Sequence, residues 1–281
     1  MEPKTVFKRY ELKYLMDEGQ LAAVYDALGE HMVLDGYGRS SIRNIYFDTE
    51  SFLLASRSIE KPLYKEKLRF RSYGRADPDG QVFVELKKKF DKVVYKRRLA
   101  MPLDEAMGWF TGDSDDRPRT QIGDEIDFLR QRYPGIRPAM FLTYDREAYY
   151  AKDGSDLRIT IDRDIRARLN DLDLTSEPGG HEVLPEGYTL MEIKTMYGYP
   201  QWLNRVLNGN ALYKSSFSKY GNAFKEMVLG AEPEDFMCLR AGRGPVASAP
   251  VGIQSIHADV MPAANARPVH TACKENGALT V

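Results

Sequence analysis

The sequence predicts an α+β fold built on a sheet whose strands each carry one charged face and one apolar face. Three observations predict it. Short segments alternate between charged and hydrophobic residues, the period of a strand. Stretches with apolar residues at helical spacing separate them. Cations also recur at matching positions from strand to strand, joined here and there by a carboxylate. The clearest segment is Tyr64-Lys65-Glu66-Lys67-Leu68-Arg69-Phe70-Arg71, where Lys65, Lys67, Arg69 and Arg71 share one face. Four cations in a row repel one another unless an anion lies over them or water screens them. Arg69 and Arg71 present two guanidinium forks about 7 Å apart by strand geometry, each able to grip a phosphate through two hydrogen bonds. Alone, the segment reads equally well as a solvated edge strand defended by charge.

Composition narrows the function classes. At 281 residues the chain holds one large domain or two small ones. A hydrophobic share of 43% supports a core, and 29% charged is high for a globular protein. The formal net charge of −1 gives no global basic field, so nucleic acid is not an expected partner. No apolar run approaches the roughly 18 residues that span a bilayer, and the start MEPKTVFKRYELKY has no signal-peptide core. A cytoplasmic protein that is not embedded in a membrane is expected. Cys238 and Cys273 build no disulfide framework, and His31, His181, His257 and His270 have no zinc spacing.

Taken in order, Val6 to Leu15 reads as a strand with Arg9, Glu11 and Lys13 on one face. Asp17 caps a helix bearing Leu21, Val24, Tyr25 and Leu28. Ser41 to Asp48 is a second strand, with Ile42, Asn44, Tyr46 and Asp48 opposed to Arg43, Ile45 and Phe47. The segment 64–73 follows, then the turn Asp77-Pro78-Asp79-Gly80. The strand from Gln81 to Lys89 aligns Phe83, Glu85, Lys87 and Lys89. After a turn at Phe90-Asp91-Lys92, the chain runs back through Val93 to Leu99, aligning Val94, Lys96 and Arg98. Residues 104–134 read as two helical pieces broken by a polar loop from Thr111 to Thr120. Strands resume over Ala139 to Tyr150, aligning Tyr144, Arg146 and Ala148, and over Leu157 to Arg163, aligning Arg158, Thr160 and Asp162. A loop covers roughly 170–187, and Tyr188 to Lys194 is a strand aligning Leu190, Glu192 and Lys194. Pro200 opens a helix with Trp202, Leu203, Val206 and Leu207. Tyr213 to Tyr220 leads into a final helix ending near Leu229-Gly230, and 231–281 reads as a disordered tail.

If the sheet closes into a barrel with its charged faces inward, the lumen is a cationic tunnel that wants a polyanion. Glu11, Glu85, Asp162 and Glu192 are then candidate ligands for Mg²⁺ or Mn²⁺, hard ions that take carboxylate and phosphate oxygens together. Phosphoryl transfer needs such parts: cations on the nonbridging oxygens, a metal across the phosphates, and alignment of attacking and leaving oxygens. Any single Lys or Arg here reads best as a solvated surface residue. Glu85 and Glu192 read equally well as neutralisers of neighbouring cations. Repetition across the strands favours the polyphosphate site.

These segments resemble the VTC domain, the polyphosphate polymerase domain of the triphosphate tunnel metalloenzyme, or CYTH-like, superfamily. The resemblance runs from about Phe7 to Gly230. Its carriers are Tyr10-Glu11-Leu12-Lys13-Tyr14, Ile45-Tyr46-Phe47-Asp48, Leu68 to Gly74, Phe83-Val84-Glu85-Leu86-Lys87, Tyr95-Lys96-Arg97-Arg98, Tyr144-Asp145-Arg146, Leu157 to Asp162, Met191-Glu192-Ile193-Lys194 and Phe217-Ser218-Lys219-Tyr220. It implies an eight-stranded antiparallel β-barrel with helices packed outside, and transfer of the ATP γ-phosphoryl group to a growing polyphosphate chain with release of ADP. By this resemblance the catalytic cations are Lys13, Arg69, Arg71, Lys87, Arg146 and Arg158. Lys65, Lys67, Lys96, Arg98, Lys194, Ser218 and Lys219 bind ATP and polyphosphate, and Glu192 holds Mn²⁺ or Mg²⁺ with Glu85 or Glu11 assisting. The hydrolase branch of the superfamily opens with Glu-x-Glu-x-Lys. Here the segment reads Arg9-Tyr10-Glu11-Leu12-Lys13, one carboxylate short, which disfavours simple triphosphate hydrolysis. The eukaryotic polymerases also carry a phosphate-sensing SPX domain and sit in membrane complexes. This chain has neither feature, so any translocation of polyphosphate falls to a separate membrane protein. A triphosphatase and a binding module without turnover are the rival readings.

Overall fold

The computed structural model describes residues 10–91, 93–112 and 117–233. The expected tail lies outside the described residues beyond 233, as do Arg9, Lys92 and part of the polar loop.

The elements follow the alternation closely. Strand β1 (Tyr10–Met16) leads into helix α1 (Glu18–His31) and the short β2 (Met32–Leu34). Next come β3 (Ser40–Asp48), α2 (Leu53–Glu60), β4 (Tyr64–Tyr73), β5 (Gln81–Phe90) and β6 (Val93–Pro102). Helices α3 (Leu103–Thr111) and α4 (Gln121–Arg132) precede β7 (Arg137–Ala151), β8 (Arg158–Arg168), β9 (His181–Glu182) and β10 (Thr189–Thr195). Helix α5 (Gln201–Gly209), β11 (Lys214–Ser215) and α6 (Lys219–Met227) complete the described chain. Local chemistry sets several boundaries. Asp17 and Gln20 form a capping box on α1, and Thr120 caps α4 through Gly123 N. In the turn before β5, Gly80 N donates to Asp77 O, and a Cβ on Gly80 would lie 2.9 Å from Asp77 backbone atoms. Only glycine fits there.

One antiparallel sheet results, with strand order β11-β1-β10-β8-β7-β3-β4-β5-β6, β2 pairing with β7 and β9 with β8. Among the described residues hydrogen bonds do not close it into the expected eight-stranded barrel: the sheet has eleven strands, and β11 and β6 are the two ends of the path. The sheet nevertheless curls. Five strands separate β1 from β5, which in a flat sheet would lie roughly 30 Å apart at about 4.8 Å per step. Yet Glu11 of β1 reaches Lys87 of β5 at 3.7 Å. The charged face is therefore the concave one.

The convex face is apolar and carries most of the helices. Ile45, Phe47, Leu68, Phe70, Val84 and Leu86 pack against Trp109 and Phe110 of α3 and Ile126 and Leu129 of α4. Phe70 is fully buried and meets Phe110 edge-on, so Phe70→Ala would cost about 3–5 kcal/mol. On the other flank Tyr14, Met16, Ile159, Ile161, Met191 and Ile193 pack with Val24 and Leu28 of α1 and Leu203 and Leu207 of α5.

Helix α6 departs from the expectation of helices outside. Its Tyr220, Ala223 and Phe224 pack with Leu15, Ile42, Tyr46, Leu142, Tyr144 and Leu190, residues on the cation-bearing side of their strands. Tyr220 stacks on Tyr46 at 4.2 Å and donates to buried Asp48 at 2.6 Å. Asp48 also accepts from Leu54 N and Ala55 N, capping α2 from the end of β3. One carboxylate thus fixes both helices and seats α6 on the concave face.

Candidate functional site

The period of two delivers the charged side chains to one concavity, and strand register sorts them into two clusters. The first lies on β4, β5 and β6. Arg69 and Arg98 both pair in register with Glu85, and Lys96 pairs with Lys87. Glu85 is 2% exposed. One of its oxygens accepts from Arg69 Nε at 2.9 Å and Nη2 at 2.7 Å, with Arg71 Nη1 at 3.8 Å. The other accepts from Arg98 Nε at 2.7 Å and meets Lys96 Nζ at 2.8 Å. Burial raises the Glu85 pKa, but Arg69, Arg71 and Lys96 outweigh it and hold the carboxyl far below its usual range. Burial brings Lys96 down to about 8, against the pull of Glu85.

The second cluster lies on β1, β7, β8 and β10 beneath α6. Asp162 accepts from Arg146 Nε at 2.6 Å and Nη2 at 2.7 Å and is also paired with Lys219. Glu192 meets Lys219 at 3.0 Å, Lys194 at 3.3 Å, and Arg146 and Lys13 each at 3.6 Å. Burial raises both carboxyls and the surrounding cations overcome it, so both titrate below their usual ranges. Lys13 bridges further, lying 3.7 Å from Glu11 and donating to Phe217 O at 3.0 Å.

Four neutral side chains hold the arginines, and the reading of the sequence does not assign them roles. Tyr46 accepts from Arg69 at 2.9 Å, Asn44 from Arg71 at 2.9 Å, Tyr144 from Arg71 at 3.1 Å, and Tyr73 from Arg98 at 3.2 Å. The signal for two of them was present, because Tyr46 and Asn44 share the concave face and stand opposite Arg69 and Arg71 in register. Burial pushes the Tyr144 phenol up, but Arg71, Arg146 and Lys219 bring it down to about 8.

Most of the candidate residues therefore converge. Lys65 and Lys67 lie further along β4, bonded to Ser58 O at 2.9 Å and Ser218 Oγ at 3.2 Å. Arg158 stands apart: it is exposed at the start of β8, its guanidinium 4.7 Å from the centre of the Tyr150 ring. Among the described residues no group of three or more His, Cys, Asp or Glu is placed to hold a metal ion. A hard cation that brings phosphate oxygens needs only one or two carboxylates. Glu11 and Glu192 are the two carboxylates that share the Lys13 ammonium, at 3.7 and 3.6 Å.

A curled antiparallel sheet that turns cations and paired carboxylates inward presents a surface suited to a multiply charged anion. The VTC domain model matches residues 8–228. The chain belongs to the VTC domain family, among enzymes of triphosphates and polyphosphate that generally use divalent metal ions. No curated protein matches it. Among solved structures it is similar to a candidate adenylate cyclase of Bacillus halodurans, at 14% identity over 74% of this chain and 92% of that one, with a TM-score of 0.48. A candidate adenylate cyclase of Vibrio parahaemolyticus is similar at 12% identity, covering 81% and 100%, with a TM-score of 0.42. A candidate adenylyl cyclase from Hippeastrum with a dominant triphosphatase activity is similar at 18% identity, covering 77% and 95%, with a TM-score of 0.44. No helix among the described residues is long and apolar enough to cross a membrane.

Proposed function

We propose that this chain is a metal-dependent polyphosphate polymerase whose curled sheet serves as a phosphate tunnel. The terminal oxygen of a polyphosphate chain attacks the γ-phosphorus of ATP. A new P–O bond forms, the bond to the β-phosphate oxygen breaks, and ADP leaves. The observation that carries this reading is the convergence of Arg69, Arg71, Lys96, Arg98, Lys13, Arg146, Lys194 and Lys219 on three buried carboxylates within one concavity. The arginine forks suit the nonbridging oxygens of the transferred group, and the lysines follow the rest of the chain. Glu192 and Glu11 would hold Mn²⁺ or Mg²⁺, which supplies charge neutralisation across the phosphates. Glu85 aims Arg69 and Arg98, since each of its oxygens accepts from one of them.

Transfer is favoured over hydrolysis by a point of chemistry. A terminal phosphate is already an anion and needs no base, whereas attack by water is helped by a group that takes its proton. Each carboxylate of the site is paired with cations that hold its pKa low, and such a group is a poor base. Incubation with ATP and Mn²⁺ or Mg²⁺ followed by product separation tests the reading. Long chains with ADP are expected. Orthophosphate with ADP would make the chain a triphosphatase, and binding without turnover would make it a binding module.

A further inference from the structure

The cations of the concave face continue past the last carboxylate. The electrostatic neighbours of Lys67 are Lys13, Lys87, Lys65 and Arg69, and those of Lys65 are Lys89, Lys61, Lys87 and Lys13. Lys61, just past the end of α2, is in turn a neighbour of Lys225 on α6. Burial together with these like charges lowers Lys67, Lys65 and Lys225 from the ordinary lysine range. Lys67 and Lys65, bonded to Ser218 Oγ and Ser58 O, thus lead from the site toward Lys61 and Lys225 at the groove between α2 and α6.

The groove holds a cavity of about 100 Å³ lined by Ser58, Lys61, Ser216, Ser218, Asn222 and Lys225. Two of the lining serines connect it to the site, since Ser58 O holds Lys65 and Ser218 Oγ holds Lys67. Ser218 also caps α6 through Gly221 N, so the positive end of that helix faces the same space. Gly221 permits the close packing: a Cβ there would lie 3.1 Å from Ile59 of α2. Ile59 and Phe217 also line the cavity, but its hydroxyls, amide and two ammonium groups are the groups that suit a phosphate unit.

We propose that the polyphosphate chain leaves the site along Lys67, Lys65 and Lys61 and crosses the cavity between α2 and α6 at Lys225. The site then has a direction, with the reacting end at the two carboxylate clusters and the product end at this cavity. The inference rests on the polyphosphate reading above.

The test compares chain lengths in the full-length protein. Lys61→Asn tolerates the left-handed backbone of position 61, where φ is 56°, and Lys225→Gln keeps the length of a polar side chain. Binding of long-chain polyphosphate and of tripolyphosphate is measured across a salt series for the wild type and the double variant, with melting temperature as the control for folding. The expected result is a loss of about tenfold in long-chain affinity, a salt dependence shallower by about 1–2 contacts, and unchanged tripolyphosphate binding. An unchanged long-chain affinity, or an equal loss for both ligands, would overturn the path. A wild-type protein that binds neither ligand would remove the polyphosphate reading itself, and the path with it.

Discussion

The two cation clusters use the same charges in different ways. On β4, β5 and β6 a single carboxylate, Glu85, sits under Arg69, Arg71, Arg98 and Lys96, and neutral groups complete the guanidinium forks. On β1, β7, β8 and β10 two carboxylates, Asp162 and Glu192, share Lys13, Lys194, Lys219 and Arg146 under the cover of α6. The first is a rigid frame of planar donors. The second gathers three ammonium groups and one guanidinium around two carboxylates. Planar forks suit the geometry of one transferred group, and compact point charges suit a chain that must move past them.

The largest expected effect breaks the frame. Glu85→Gln leaves buried Arg71 and the part-exposed Arg69 and Arg98 without their counter-charge, so stability should fall by about 1–3 kcal/mol in denaturant titrations. The acid limb should change as well. Because the folded pKa of Glu85 is depressed, its contribution is present above the unfolded value of about 4.3 and is lost as pH falls through the folded one. The variant should therefore show a shallower loss of stability below about pH 4. A variant as stable as the wild type would mean that the frame does not depend on Glu85.

The second prediction sets the clusters against each other. Arg71→Ala removes a fork that holds phosphate in ground and transition states alike, so binding and turnover should weaken together. Glu192→Gln keeps the size and hydrogen bonding of the side chain but loses the charge for the metal. Turnover should fall about 10²–10³-fold, with polyphosphate binding intact or tighter. If Glu192 serves only Lys194 and Lys219, the variant would instead lose stability and keep its activity at saturating metal.

Smaller effects sharpen the contrast. Polyphosphate affinity should decline as pH rises through about 8, where Lys96 loses its proton and the Tyr144 phenol ionises, and Lys96→Arg should make that decline shallower. A flat wild-type profile would exclude Lys96 as a contact. On the other cluster, Thr160 stands opposite Glu192 with its buried hydroxyl unpartnered. Thr160→Val should leave stability unchanged or raise it by up to about 1 kcal/mol. A drop in turnover without a drop in melting temperature would mark that hydroxyl as a substrate contact.

Strand identity and facing were legible because alternation needs no tertiary information: Lys65, Lys67, Arg69 and Arg71 share the concave face as the period of two requires. Helix α2 was not legible. Its N-cap is Phe52 in a left-handed conformation with no side-chain cap, and the capping oxygens come from Asp48 across the intervening turn. The position of α6 was equally hidden, since Tyr220, Ala223 and Phe224 make an apolar stripe that would suit either face of the sheet. Arg158 has the right parity for the site, but it opens β8, and position within the strand sets its exposure. The register that opposes Tyr46 to Arg69 is a property of the sheet, which no single segment encodes.

The pairing of every clustered cation with an internal carboxylate has a consequence for selectivity. Glu85, Asp162 and Glu192 act as resident counter-ions, much as the fixed groups and exchangeable ions of a resin do. An incoming anion competes with them for the same guanidinium and ammonium groups. A singly or doubly charged ion such as chloride, sulfate or orthophosphate offers too few charges in one place to win that exchange. A linear chain engages many cations at once, so on the proposed function charge density along a tether, more than total anion concentration, is expected to decide what the site accepts.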